Sequence, residues 1–145
     1  MKKFLTFFSL VLFTGTICVA QKVSLYSIGE FGKEDYEEFA FWVKANKRSE
    51  INYSYGKSNK EVKLKFIGIG VLNGNQCFKV QFSNNYILHI VPQGAQIKVS
   101  DLSGKYNKYF AWKYEGPVNG IGTFCEPCAE DEDQAMKLLK LYYLK

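Results

Sequence analysis

The sequence has little of what most enzymes use. Among 145 residues there is one histidine, His89, and one arginine, Arg48. His89 is set mid-strand among Ile87, Leu88, Ile90 and Val91, where a histidine reads as a hydrogen-bonded structural residue. One such residue does not assemble a Ser/His/Asp set, which needs a base poised on an activated hydroxyl. Ala129 follows the second cysteine of Cys125-Glu126-Pro127-Cys128, so the histidine of a covalent haem motif is missing. Gly68 and Gly70 are followed by neither a helix nor a phosphate-loop lysine, which removes a nucleotide-cradling reading. After residue 20 no apolar run reaches the roughly 20 residues that a membrane-spanning helix takes. Internal repeats, low-complexity segments and linkers are also lacking.

The one long apolar run stands at the start. Met1-Lys2-Lys3 is a basic opening, and Phe4 to Phe13 is apolar apart from Thr6 and Ser9. Cys18-Val19-Ala20 ends in small residues at the two positions a signal peptidase reads. Residues 1–20 are therefore expected to be a cleaved signal peptide, with Gln21 as the mature start. Bulky Ile17 before Cys18 argues against a lipid-modified cysteine. Removing 20 of 145 residues leaves 125, and losing Lys2 and Lys3 takes the net charge from +5 to +3. The preference for lysine over arginine, with frequent Asn, Phe, Tyr and Ile, points to an AT-rich bacterial genome. Together these predict an exported protein, periplasmic or secreted.

What is abundant is aromatic: 17% of residues are Phe, Trp or Tyr. Each can bury roughly 150–250 Å², so a core can form without disulfides. Glu61 to Glu115 carries the strand signal, which is alternation with period two. Val62, Leu64 and Phe66 alternate with Glu61, Lys63 and Lys65, and Phe78, Val80 and Phe82 with Cys77, Lys79 and Gln81. Tyr86 to Val91 is apolar on both faces, as in a strand covered on both sides. Tyr106, Phe110, Trp112 and Tyr114 share one face of a last strand, with Lys108 the exception among them. Asn73-Gly74, Asn84-Asn85, Pro92-Gln93-Gly94 and Ser103-Gly104 are the turns. Gly68 and Gly70 suggest a bulge in the first of these strands. Val23 to Ile28 and Ile51 to Tyr55 add two shorter strands.

Two helices are expected. In Lys33 to Lys47, Tyr36, Phe39, Ala40 and Val43 fall at helical spacing, with acids at the start and cations at the end, as a helix dipole favours. Phe41 and Trp42 lie off that stripe and widen the face it would pack across the sheet. Glu130 to Lys145 repeats the pattern, with Ala135, Leu138, Leu139 and Tyr142 as its stripe. The acid pairs Glu34/Glu38 and Glu130/Asp133 thus read as helix-start charges rather than glycosidase carboxylates. The fold expected for residues 21–145 is one α+β domain. It is an antiparallel meander of about six to seven strands, with an N-terminal helix on the sheet and a C-terminal helix. This arrangement is similar to cystatin-like domains. The alternative is a small closed barrel capped by helices.

The candidate site residues are thiols and lysines. Cys125-Glu126-Pro127-Cys128, just before a helix, resembles the redox loop of thioredoxin-like enzymes. No βαβ unit precedes it and the chain ends seventeen residues later, so the thioredoxin fold itself is excluded. Cys77, Cys125 and Cys128 remain after signal removal. Bridging Cys125 to Cys128 closes a tiny loop worth about 2 kcal/mol, and bridging Cys77 to either closes a long one worth about 4 kcal/mol. A Cys₃His zinc set with His89 has zinc-like spacing only in its Cys-x-x-Cys half, and an oxidising compartment opposes it. No metal or cofactor is expected. Between Lys57 and Gly116 there are nine lysines and three acids. Lys63, Lys65, Lys79 and Lys98 project from the polar side of the strands, a face for a protein, a glycan or another anionic partner. Export and the modest charge argue against nucleic acid. The expected function is a non-enzymatic binding module of the envelope or extracellular space, with a thiol–disulfide protein using Cys125 and Cys128 as the alternative.

Overall fold

Tight turns determine the topology. Asn73 and Gly74, at φ 50° and 78°, both take the left-handed conformation that a type I′ hairpin requires. Ala45 and Asn46, at φ 50° and 56°, do the same one hairpin earlier. Connections this short hold successive strands antiparallel and adjacent. The computed structural model describes residues 21–113 and 129–145. It shows eight strands: β1 (Gln21–Ile28), β2 (Glu37–Lys44), β3 (Lys47–Tyr55), β4 (Lys60–Leu72), β5 (Asn75–Gln81), β6 (Ile87–Gln93), β7 (Gln96–Ser100) and β8 (Asn107–Trp112). One helix follows, α1 (Glu132–Tyr143). Each strand pairs with the next, and β8 pairs with β1 through Tyr26↔Trp112 and Ser27↔Ala111, so the sheet closes into a barrel.

The expected N-terminal helix is not there. Its centre is β2, and the barrel alternative holds in place of an open sheet with a helix upon it. The reason lies in which residues each period accounts for. A helical reading leaves Phe41 and Trp42 off its stripe. Period two places Phe39, Phe41 and Val43 on one face, and all three are buried in the core. Glu38, Ala40 and Trp42 take the other. A segment rich in aromatic and β-branched residues suits a strand, and here packing overrides the helix-like charge pattern. The acids Glu34 and Glu38 therefore start no helix. Glu34 lies between β1 and β2, and Glu38 accepts a hydrogen bond from the Tyr36 hydroxyl.

The other strands follow the alternation. Leu64, Phe78, Val80, Leu88, Ile90, Ile97, Val99 and Phe110 fill the interior. Gly68, at φ 136°, lies where the β4–β5 register shifts, which is the expected bulge. β6 is buried on both faces, with His89 and Val91 covered on the outer side. The C-terminal helix is shorter than expected and well capped. Asp131 accepts a bond from the Gln134 amide at 2.7 Å, and Glu132 and Asp133 occupy the first turn. Met136, Leu139 and Tyr143 of α1 join the core. No helix among the described residues is long and apolar enough to cross a membrane.

Strand direction sorts the barrel into two ends. The β2–β3, β4–β5 and β6–β7 turns gather at one. There the Tyr143 hydroxyl accepts from the Trp42 amide at 3.2 Å and lies 2.7 and 2.9 Å from the Trp42 and Glu50 carbonyl oxygens. Arg48 donates to the Lys145 carbonyl at 3.1 Å and stacks 4.0 Å from the Phe66 ring centre. So α1 closes this end. The β3–β4, β5–β6 and β7–β8 turns and the β1–β2 loop gather at the other, which α1 leaves open.

Candidate functional site

At the open end the inward positions stop being apolar. Glu37 is the first residue of β2 and shares the inward face with Phe39 and Phe41. Its residue exposure is only 9%. A carboxylate buried this far needs partners, and β3 and the start of β8 supply them. The Tyr53 hydroxyl of β3 donates to Glu37 Oε2 at 2.8 Å. Tyr106, just before β8, donates to the same oxygen. Lys108 of β8 pairs with Oε1. Burial pushes the Glu37 carboxyl up, but the bonds from Lys108, Tyr106 and Tyr53 and the lysine charge outweigh it, leaving its pKa below the usual carboxylate value. Burial first, and then the bond to Glu37, push the Tyr53 and Tyr106 phenols well above the usual tyrosine range. The cluster is thus an ionised acid, a paired lysine and two neutral phenols at neutral pH.

Above it lies a cavity of about 320 Å³, lined by Tyr53, Tyr55, Phe82, Tyr86 and Tyr106, with Val62, Asn84 and Leu88 completing the wall. The aromatic rings brace one another. Tyr53 stacks on Tyr55 at 5.5 Å and 21°, meets Phe82 edge-on at 5.6 Å, and Phe82 contacts Tyr86 at 5.9 Å. The Tyr86 hydroxyl donates to Asp101 at 3.0 Å, which fixes the ring at the rim. Tyr55 and Tyr86 are both more than a third exposed.

The residues singled out from sequence lie elsewhere. Cys77 is a fully buried free thiol on the outer side of β5, and burial pushes its pKa up against the pull of Lys79. A reactive redox thiol is exposed and shifted down instead. Cys125 and Cys128 lie outside the described residues, as does the segment 1–20. His89 is buried on the outer side of β6, its pKa lowered first by burial and then by Lys79. Among the described residues no group of three metal-ligating side chains converges. Lys63, Lys65, Lys79 and Lys98 do point outward, but from β4, β5 and β7. Adjacent strands of an eight-stranded ring turn by roughly 45°, so these lysines spread over a convex wall. Lys63 pairs with Glu50 at 3.1 Å, and Lys98 lies 5.7 Å from the Tyr109 ring centre.

Glu37 escaped sequence reading because it was placed at a helix start. A signal was present. Lys108 breaks the inward run of the last strand, and an inward lysine needs an inward acid. No protein-family model matches the chain, and no curated protein or solved structure matches it.

Proposed function

We propose that the chain is an exported, non-enzymatic binding module that takes a small ligand in the open mouth of its barrel. One observation carries this reading. The inward pair Glu37 and Lys108 meets behind an aromatic-lined cavity, bonded to two of its lining tyrosines, Tyr53 and Tyr106, where an apolar core would have been cheaper to fold. A cavity of about 320 Å³ falls at the small end of the range of ligand sites, roughly 300–1,000 Å³, and its few convergent polar groups match their usual make-up. Closed eight-stranded barrels commonly hold one small ligand in this way. The basic and apolar opening at Met1 to Ala20 supports export. The mouth takes the place of the lysine wall as the binding surface, because its groups converge and the lysines do not.

The test is a small-molecule fragment screen against full-length mature protein with ¹³C-labelled tyrosine rings. Binding at the mouth shifts Tyr53, Tyr55, Tyr86 and Tyr106 and leaves Tyr143, at the capped end, in place. Hits that move Tyr109 or Tyr143 instead, or no hits at all, contradict the reading.

A further inference from the structure

The hydrogen-bond directions in the mouth restrict what it can hold, given that the mouth is the binding site. A phenol has one proton to donate. Tyr53 and Tyr106 both give theirs to Glu37 Oε2, and an ionised carboxylate can only accept. The two hydroxyls also lie within hydrogen-bond reach of each other, and what the pair has left for the cavity is oxygen lone pairs. The floor therefore offers acceptors.

Charge is balanced at the same place. Lys108 is paired with Glu37. At the rim Asp101 holds the Tyr86 hydroxyl, and Lys60 lies 5.9 Å from the Tyr55 ring centre. The charged side chains in contact with the lining tyrosines are two acids, Glu37 and Asp101, and two lysines, Lys108 and Lys60, so the lining favours neither an anion nor a cation. The walls are ring faces and edges, which suit a flat partner by stacked or edge-on contact.

We infer that the ligand is a compact, uncharged aromatic ring compound bearing an O–H or N–H donor, of phenolic or indolic type. The ring packs among Tyr55, Phe82 and Tyr86, and the donor points inward to the Tyr53 and Tyr106 oxygens. Glu37 and Lys108 act as positioning residues. They hold the phenol protons away from the ligand and do not touch it.

Three probes of the same ring separate the possibilities: phenol, anisole and benzoate. Phenol carries the donor, anisole has it methylated, and benzoate is an anion. Each is titrated into the mature protein and read from the tyrosine ring resonances. Phenol is expected to bind about 3- to 10-fold more tightly than anisole, the span of one net hydrogen bond, and benzoate more weakly than either. In the Tyr53→Phe/Tyr106→Phe double variant the phenol preference should vanish while anisole binding persists. The wild-type comparison stands whether or not that variant folds. Equal binding of phenol and anisole at the mouth, or stronger binding of benzoate, overturns the inference and leaves the mouth as a site. Absence of any shift at Tyr53, Tyr55 and Tyr86 with all three probes overturns the site as well.

Discussion

The two ends of this barrel use the same side chain for opposite purposes. At the capped end, the Tyr143 hydroxyl is tied to the backbone of Trp42 and Glu50, and its ring lies among Phe41, Phe66 and Phe78. Each of these Tyr143 contacts is internal to the fold, and the groove of about 610 Å³ at this end, between α1 and the β4–β5 and β6–β7 turns, is lined by none of these rings. At the open end, the Tyr53 and Tyr106 hydroxyls are tied to a side-chain charge, and their rings line a cavity. Backbone partners are fixed by the strands and anchor a plug. A buried carboxylate costs free energy to desolvate, and a stable core has no need of one. The difference teaches that buried aromatics alone do not mark a site. What the hydroxyls bond to does.

The largest effect is expected from the plug. Leu139 of α1 is fully buried, and Leu139→Ala should cost about 2–5 kcal/mol in urea unfolding. The comparison predicts that phenol affinity survives this loss, because the mouth lies at the opposite end. Loss of binding in a variant that still folds would break it.

Next comes the lysine of the open end. Lys108→Met leaves the buried Glu37 carboxylate with its cation gone, and about 1–3 kcal/mol of stability should go with it. Pairing it with Glu37→Gln should restore most of that loss, since the charge goes too. A double variant less stable than the single one would contradict the pairing.

Tyrosine for phenylalanine at each end sharpens the contrast. Tyr143→Phe strands bonding groups of the backbone and should cost about 1 kcal/mol with no change in ligand preference. Tyr106→Phe should reduce the phenol preference over anisole. The reverse assignment would mean that the ends have been read the wrong way round.

pH separates the ends as well. The Glu37 pKa is lower in the folded chain than its ordinary value of 4.5, so its contribution is in place above about pH 4.5 and is lost as pH falls through the folded value. Tyr53 and Tyr106 are raised from 10.0, so theirs is in place below about pH 10 and is lost as pH rises further. Glu37→Gln should flatten the acid limb of the stability curve, whereas Tyr143→Phe should not. The smallest effect belongs to the outer wall. Lys63→Gln and Lys65→Gln should each change stability by less than about 0.5 kcal/mol and leave phenol binding unaltered. A large loss of binding would return the function to the lysines.

Much of the barrel was legible because strand parity is a local property. β4 to β8, their turns, the Gly68 bulge and the C-terminal helix follow from alternation and turn chemistry within short windows. Closure was not legible, since the pairing of Tyr26 with Trp112 joins the two ends of the strand run. β2 was misread because its residues satisfy both periods, and charge at its ends tipped the balance to helix. That single misreading also concealed the site. Read as a strand, Glu37 is an inward acid facing an inward Lys108. Read as a helix start, it is an ordinary solvated charge. The thiols stood out by spacing, yet Cys77 is an inert buried residue of the outer wall, and Cys125 and Cys128 lie outside the described residues.

The central claim is that Glu37 is an ionised acceptor holding two phenol protons at the open end. Carboxyl ¹³C titration of Glu37 in the folded protein tests it most directly. The account predicts a Glu37 pKa below 4.5, rising toward or above that value in Lys108→Met. A wild-type pKa above about 7 would mean an acid protonated at neutral pH that donates into the cluster. It would reverse the hydrogen-bond directions and with them the expected ligand.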